Sequence, residues 1–229
     1  MSDVDHKALP KPFQYVLLVL MSALASGLGY AVLSLPDQAI ELKGLVEANL
    51  HASGVRNPVT AVLLNFRAYD TLLEMAVLLL ALIGVWSLGA TPMRRGADPE
   101  PVLSALVHGL APMMILVAGY LLWAGAHAPG GAFQAGAVLA ASGVLLLLTG
   151  KRLTTRLMGR PLRIVLLTGL GAFITVGVIV IPAGGMFLQY PSDLAAGLIL
   201  FIEAAATLSI GAILTALFLG GRVVSGEER

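Results

Sequence analysis

The sequence predicts an all-α membrane protein with six transmembrane helices and both termini in the cytoplasm. Three observations carry that prediction. The first is composition: of 229 residues, 58% are hydrophobic and only 12% charged, against about 45–50% and about 25% in soluble domains. The second is that the apolar residues fall into six runs, 13–35, 70–89, 102–124, 132–150, 162–181 and 194–220, each close to the ~20 residues a bilayer crossing needs. The third is charge placement. With six crossings, one side holds Lys7, Lys11, Arg94, Arg95, Lys151, Arg152, Arg156, Arg160, Arg163, Arg222 and Arg229, and the other only Lys43, Arg56 and Arg67. The positive-inside rule puts the richer side in the cytoplasm.

These features exclude several function classes. A net charge of +1 gives no general attraction to nucleic acid. With no Cys, the chain by itself makes no disulfide, thiolate metal site or iron–sulfur cluster. The dispersed His and carboxylates form no metal motif, and no cofactor is implied. The start, MSDVDHKALPKPF, lacks the features of a cleaved signal peptide, so the first apolar run is expected to be a retained helix.

Taken in order, the chain divides into a cytoplasmic N-terminus (1–12), a two-helix module (13–90), a cytoplasmic linker (91–101), a four-helix module (102–220) and a cytoplasmic tail (221–229). Between the first two spanning runs, Ile40, Leu42, Leu45, Val46 and Leu50 suit a weak amphipathic surface helix. The stretch 58–66, PVTAVLLNF, is apolar but too short to span, and reads as a strand-like or helical half-segment. In the fourth run, the rows Ala132–Gly136–Ala140 and Ala135–Leu139–Gly143 predict close helix packing, as do Gly169, Gly171 and Gly177 in the fifth. APGGAFQ at 128–134 and PAGGMFLQ at 182–189 echo one another at two outer turns, each offering paired glycines that permit positive φ.

Ionisable groups within the apolar runs need a reason, because the membrane interior disfavours them. Glu203 stands about ten residues into the sixth run, which is expected to place it about 14 Å deep, near the bilayer centre. It is a candidate proton carrier or, when paired, an ion ligand; the alternative is a carboxylic acid that hydrogen-bonds neighbouring helices as glue. In NPVTAVLLNFRAYDTLLEMAVLLL, Arg67, Asp70 and Glu74 follow i, i+3, i+7 spacing on one helical face. A charge relay is one reading; a capping box of Thr71 with Glu74, and Asp70 at a helix start, is the other. His108, near the cytoplasmic end of the third helix, and His127, in the outer turn before Pro129, are further relay candidates, while His6 and His51 are expected to be solvated. All four lysines (Lys7, Lys11, Lys43, Lys151) lie outside the predicted spanning helices. The chain therefore lacks its own embedded Lys–Glu pair, and a complete proton half-channel would need other chains.

NPVTAVLLNFRAYDTLLEMAVL resembles the C-terminal tail of the large subunit of Mrp-type sodium/proton antiporters, itself similar to a small membrane subunit of energy-converting hydrogenases. Its pattern is N-x-V-T-x-x-L-x-x-(D/N)-F-R-(G/A)-(F/Y)-D-T-x-x-E. GAHAPGGAFQAGAVLAA resembles the small Mrp subunit usually called B. Departures are Asn65 where Asp is common, Ala68-Tyr69 for Gly-Phe, the spacing Gly125-Ala126-His127, and Ala132 and Ala135 for glycines. The resemblance implies a subunit without catalytic chemistry of its own, in a multisubunit Na+/H+ antiporter of the prokaryotic cell (inner) membrane. Its partners would be other membrane subunits of an Mrp-like or complex I-like assembly, with Na+ and H+ as transported ions. It also implies that Glu74 and Asp70 belong to the ion path, with Arg67 as their electrostatic partner. The alternative is a membrane subunit of an energy-converting hydrogenase-like complex, or of a proton-driven one such as an inorganic-carbon uptake assembly.

Overall fold

A computed structural model describes residues 11–34, 39–88, 101–149, 159–183 and 185–220. Most of the basic residues used above for orientation, among them Lys7, Arg94, Arg95, Lys151, Arg152, Arg156, Arg222 and Arg229, lie outside the described residues, as does His6. The chain divides into two units, 1–45 and 46–229.

In the first unit α1, Lys11–Leu33, is an apolar helix of 23 residues that buries none of them within the chain. Lys11 is its first residue, not the residue before it. Helix α2, Ala39–Asn49, runs across the division and carries Lys43. Of the expected apolar stripe, Leu42 and Leu45 are exposed, whereas Val46 and Leu50 are half-buried; the Ile40 side chain lies outside the described residues.

The second unit is all-helical among its described residues. A 3₁₀ turn, Leu50–Ser53, leads to the short α3, Pro58–Ala61, and a π-helical stretch, Val62–Phe66. Helix α4 is Ala68–Ser87, α5 Pro101–Ala124, α6 Ala132–Leu148, α7 Arg160–Ile179 and α8 Ser192–Leu219, with a 3₁₀ turn at Ile181–Ala183. Helices α1, α4, α5, α7 and α8 are long and apolar enough to cross a membrane, and α6 is a shorter apolar helix of 17 residues. The expected half-segment at 58–66 is thus helical. Its tight start follows from Asn57, whose side chain accepts from the Val59 amide ahead of Pro58.

Helix α8 is the centre of this unit. Eleven of its residues are buried, including Ile199, Ile202, Ala206, Ile210 and Ile213, and α6, α7 and α4 pack around it. Small residues set the approach of α6. A Cβ at Gly136 would lie 2.7 Å from Ile210 Cβ, and one at Gly143 2.6 Å from Thr215 Oγ1. The pairs Gly136–Ile210, Leu139–Gly211 and Gly143–Thr215 advance together, so α6 and α8 run parallel, as the single crossing between them, α7, requires. Helix α7 is antiparallel to α8: Ser209 Oγ donates to Leu166 O (2.6 Å) and Thr168 Oγ1 to Ala205 O (3.2 Å). Gly169 packs on Met75 and Ser209, and Gly177 on Phe187, whereas Gly171 faces open space and is no packing position. Of the two similar turns, the first has its positive φ at Gly131 (107°); in the second it falls on Leu188 (64°) and not on Gly185.

Candidate functional site

The turn from Gly125 to Gly131 joins α5 to α6 and is held from two sides. Asn57 Nδ2 donates to Gly125 O (3.0 Å) and Ala128 O (2.7 Å), and Thr60 Oγ1 donates to Gly125 O (2.6 Å). The backbone amides of Arg56 and Asn57 both donate to Ala126 O (3.0 and 3.1 Å), and Gly131 N–H closes back on Leu121 O (2.9 Å). Asn57 and Thr60 are both buried. Irregular backbone at the edge of an apolar layer persists only where protein satisfies its polar groups, and this set of donors does so.

Glu203 meets the same turn from α8. Its side chain is 2% exposed, and its carboxyl accepts the Ala132 amide at the N-terminus of α6. A Cβ at Gly131 would lie 2.9 Å from Glu203 Oε1, and one at Gly125 3.3 Å. At Gly131 the carboxyl occupies the space a side chain would need, whereas at Gly125 a Cβ would first meet the Gly131 backbone, 2.7 Å from its Cα and 2.8 Å from its N. Gly131 also has φ 107°, which side chains rarely adopt. The second oxygen, Oε2, is buried with no hydrogen-bond partner among the described residues.

Helix α8 has 28 residues and is about 42 Å long, more than the ~30 Å apolar core of a bilayer. A helix of this length crosses with tilt or with an overhang. The exposed Tyr120 and Trp123 on the last turns of α5 stand beside the turn, with ring centroids 6.3 Å apart, and such aromatics favour the interface. Glu203 packs beneath the same turn.

The second group of charges lies on α4. Arg67 is the N-cap residue of α4, so Thr71 is well inside the helix and not at its cap. Its Oγ1 donates back to Leu63 O (2.6 Å), which overturns the capping-box reading. Asp70 is in the first turn, and Arg67 Nη2 pairs with its Oδ2 at 2.5 Å, the side chains being 70% and 44% exposed. Glu74 is exposed and makes no ion pair among the described residues. Asp70, Leu73, Glu74, Val77 and Leu78 form one wall of an open cleft, and Phe133, the second residue of α6, stands against them. Asn65, where the related pattern commonly has Asp, donates its Nδ2 to Ser53 O (3.0 Å). An ionised carboxylate cannot make that bond.

The histidines stand apart. His127 is exposed on the turn, 6.1 Å from the Trp123 ring. His108 is exposed on α5, with Nδ1 2.6 Å from Ser104 O on its own helix. Thus Arg67, Asp70 and Glu74 come together, and Glu203 and His127 share a turn on its inner and outer sides. His108 joins neither group. No cluster of His, Cys, Asp or Glu among the described residues is arranged to hold a metal. Sequence reasoning passed over Asn57 and Thr60 as individual residues, although both stand in the motif quoted above.

A comparison with curated protein sequences finds no match. Residues 13–98 match the MbhE family, described as a subunit of MBH, and residues 102–225 match the domain related to the MnhB subunit of Na+/H+ antiporter. Among solved structures, the fold is similar to a chain of the Mrp complex from Dietzia sp. DQ12-45-1b: 23% identity over 96% of this chain, TM-score 0.65. This chain spans only 27% of the length of that one. It is also similar to a chain of the membrane-bound sulfane sulfur reductase, an archaeal respiratory membrane complex: 23% identity over 90% of this chain and 97% of that chain, TM-score 0.69. Both similar chains come from complexes, the second described as a respiratory membrane complex. With an MbhE-like segment leading into a domain that takes up more than half its length, the chain belongs to the multi-pass membrane proteins related to the MnhB subunit of Na+/H+ antiporters.

Proposed function

We propose that the chain is a subunit of a complex that exchanges Na+ for H+ across the prokaryotic cell membrane, with both termini cytoplasmic, and that it has no catalytic chemistry of its own. Glu203 carries the proton part of the path. Glu74 and Asp70, with Arg67 as their counter-charge, line the part that is completed by neighbouring subunits. His127 stands at the outer side of the turn over Glu203. The observation that carries the reading is Glu203 itself: a buried carboxyl with one oxygen on a backbone amide and the other unpartnered among the described residues. A carboxylic acid serving purely as glue would find a hydrogen-bond partner for each oxygen, an acceptor for its O–H among them.

The test is Glu203→Gln in the purified complex reconstituted into liposomes. Sodium-driven proton movement should fall on the order of 100-fold, the usual scale for removing a proton-transfer group, with the subunit composition unchanged. Wild-type exchange in that variant would return Glu203 to a packing role.

A second reading, an ion-conducting subunit of a redox-driven membrane complex, draws support from the likeness to the sulfane sulfur reductase chain, which covers both chains almost end to end. Subunits that co-purify separate the two. Partners carrying iron–sulfur motifs would favour the redox complex, and antiporter-like subunits alone the exchanger.

A further inference from the structure

We infer that Asn57 and Thr60 are positioning residues for Glu203, acting through the Gly125–Gly131 turn. The inference deepens the reading of Glu203 as a proton carrier and rests on it for its functional meaning. A carbonyl oxygen has two acceptor sites. Gly125 O has both filled, by Asn57 Nδ2 and Thr60 Oγ1. Ala126 O takes the Arg56 and Asn57 amides, and Ala128 O takes Asn57 Nδ2. Three carbonyls of the turn are thereby drawn to the 56–60 segment. Glu203 is left with the parts of the turn that carry no acceptor: the α-carbons of Gly125 and Gly131 and the Ala132 amide.

The consequence is chemical as well as structural. A carbonyl released from the clamp can turn toward the buried carboxyl. It would then accept from the protonated acid and hold its proton, or stand against the ionised form. Held as it is, the turn leaves Oε2 with no partner among the described residues, so the proton on that oxygen is not tied to the turn's backbone. Asn57 and Thr60 belong to the stretch related to MbhE, while the turn and Glu203 belong to the MnhB-related domain. Two family domains that occur in one chain here thus build one site between them. The π-helical residues 62–66 continue directly from this clamp to Arg67 and Asp70, and π-helical turns recur at functional positions.

The test is infrared difference spectroscopy on the assembled wild-type complex, with the Glu203 band assigned as the one lost in Glu203→Gln. Thr60→Val removes the hydroxyl donor at nearly constant shape, and Thr60→Ser keeps it. Asn57→Asp keeps the acceptor for the Val59 amide and loses both Nδ2 donations. The expected result is a displaced Glu203 band in Thr60→Val, a further displaced one in Asn57→Asp, and a wild-type band in Thr60→Ser. Exchange should fall roughly fivefold in Thr60→Val, the scale of one hydrogen bond. A Glu203 band at the wild-type position in assembled Thr60→Val overturns the inference, and that variant decides the matter if Asn57→Asp does not assemble. Full exchange in Glu203→Gln would instead overturn the proton-carrier reading, and the band shifts are measured independently of that outcome.

Discussion

Glu203 and the Arg67–Asp70–Glu74 group are both carboxylate sites on apolar helices, yet the protein treats them in opposite ways. Glu203 is enclosed by this chain alone: α8 supplies the side chain, α6 an amide, and two glycines the room. The α4 group is turned outward, with one exposed ion pair and an exposed Glu74 at a cleft. An enclosed carboxyl is tuned by its own fold. An outward one on an apolar helix needs something else to face, which under the proposed function is a neighbouring chain. The difference teaches that one polypeptide can enclose one carboxyl completely while leaving its other charged group open on its surface.

The comparison can be broken or sharpened by variants of graded effect. The largest expected change is the loss of exchange in Glu203→Gln described above. Gly131→Ala should come next, because it forces a side chain into φ 107° and against Glu203 Oε1. We expect a loss of about 1–3 kcal/mol together with impaired exchange, read by thermal melting of the detergent-solubilised complex and by liposome flux. If Gly131→Ala melts and transports as wild type, the turn does not enclose the carboxyl as described. Glu74→Gln should lower exchange by about tenfold through its place at the cleft while leaving the melting of the isolated subunit unaltered. Equal damage to the isolated subunit would mean that Glu74 is held within the chain after all.

Smaller effects are expected at one residue outside the two sites and at one within the α4 group. Tyr190 is buried with its hydroxyl unpartnered among the described residues, and burial pushes its phenol above the usual tyrosine range. The folded form thus favours the neutral phenol. Its contribution is fully present below the unfolded pKa near 10 and is lost as pH rises beyond it. Tyr190→Phe should be neutral or more stable by about 1 kcal/mol at pH 7, with a larger advantage in alkaline buffer; an advantage that shrinks with pH would contradict the burial argument. The smallest change is expected for Arg67→Ala. Its ion pair is mostly solvent-exposed, and such pairs contribute at most about 1 kcal/mol, so melting should barely move.

The six apolar runs were legible because a bilayer crossing demands about 20 apolar residues in a row, and that constraint is written locally. The described helices begin and end within a few residues of them. Helix contact through Gly136, Gly143 and Gly169 was legible for a similar reason, since small residues at helical spacing have one physical use in lipid. Gly171 shows the limit of that argument: spacing alone does not say which face meets a neighbour. Thr71 shows another, for a capping box needs a helix that starts at Thr71, and the π-helical stretch before Arg67 moved the start upstream.

What the sequence by itself determined is therefore the membrane class, the number and place of the helices, the presence of Glu203 in an apolar run, and the family patterns around Asn57 and Gly131. Only the tertiary structure decided that these last two patterns meet, with Glu203 beneath one and Asn57 and Thr60 above it. The reason is sequence distance. Hydropathy and capping act over a few residues, whereas the contacts Asn57–Gly125 and Gly131–Glu203 join positions about 70 apart that only the parallel packing of α6 on α8 brings together.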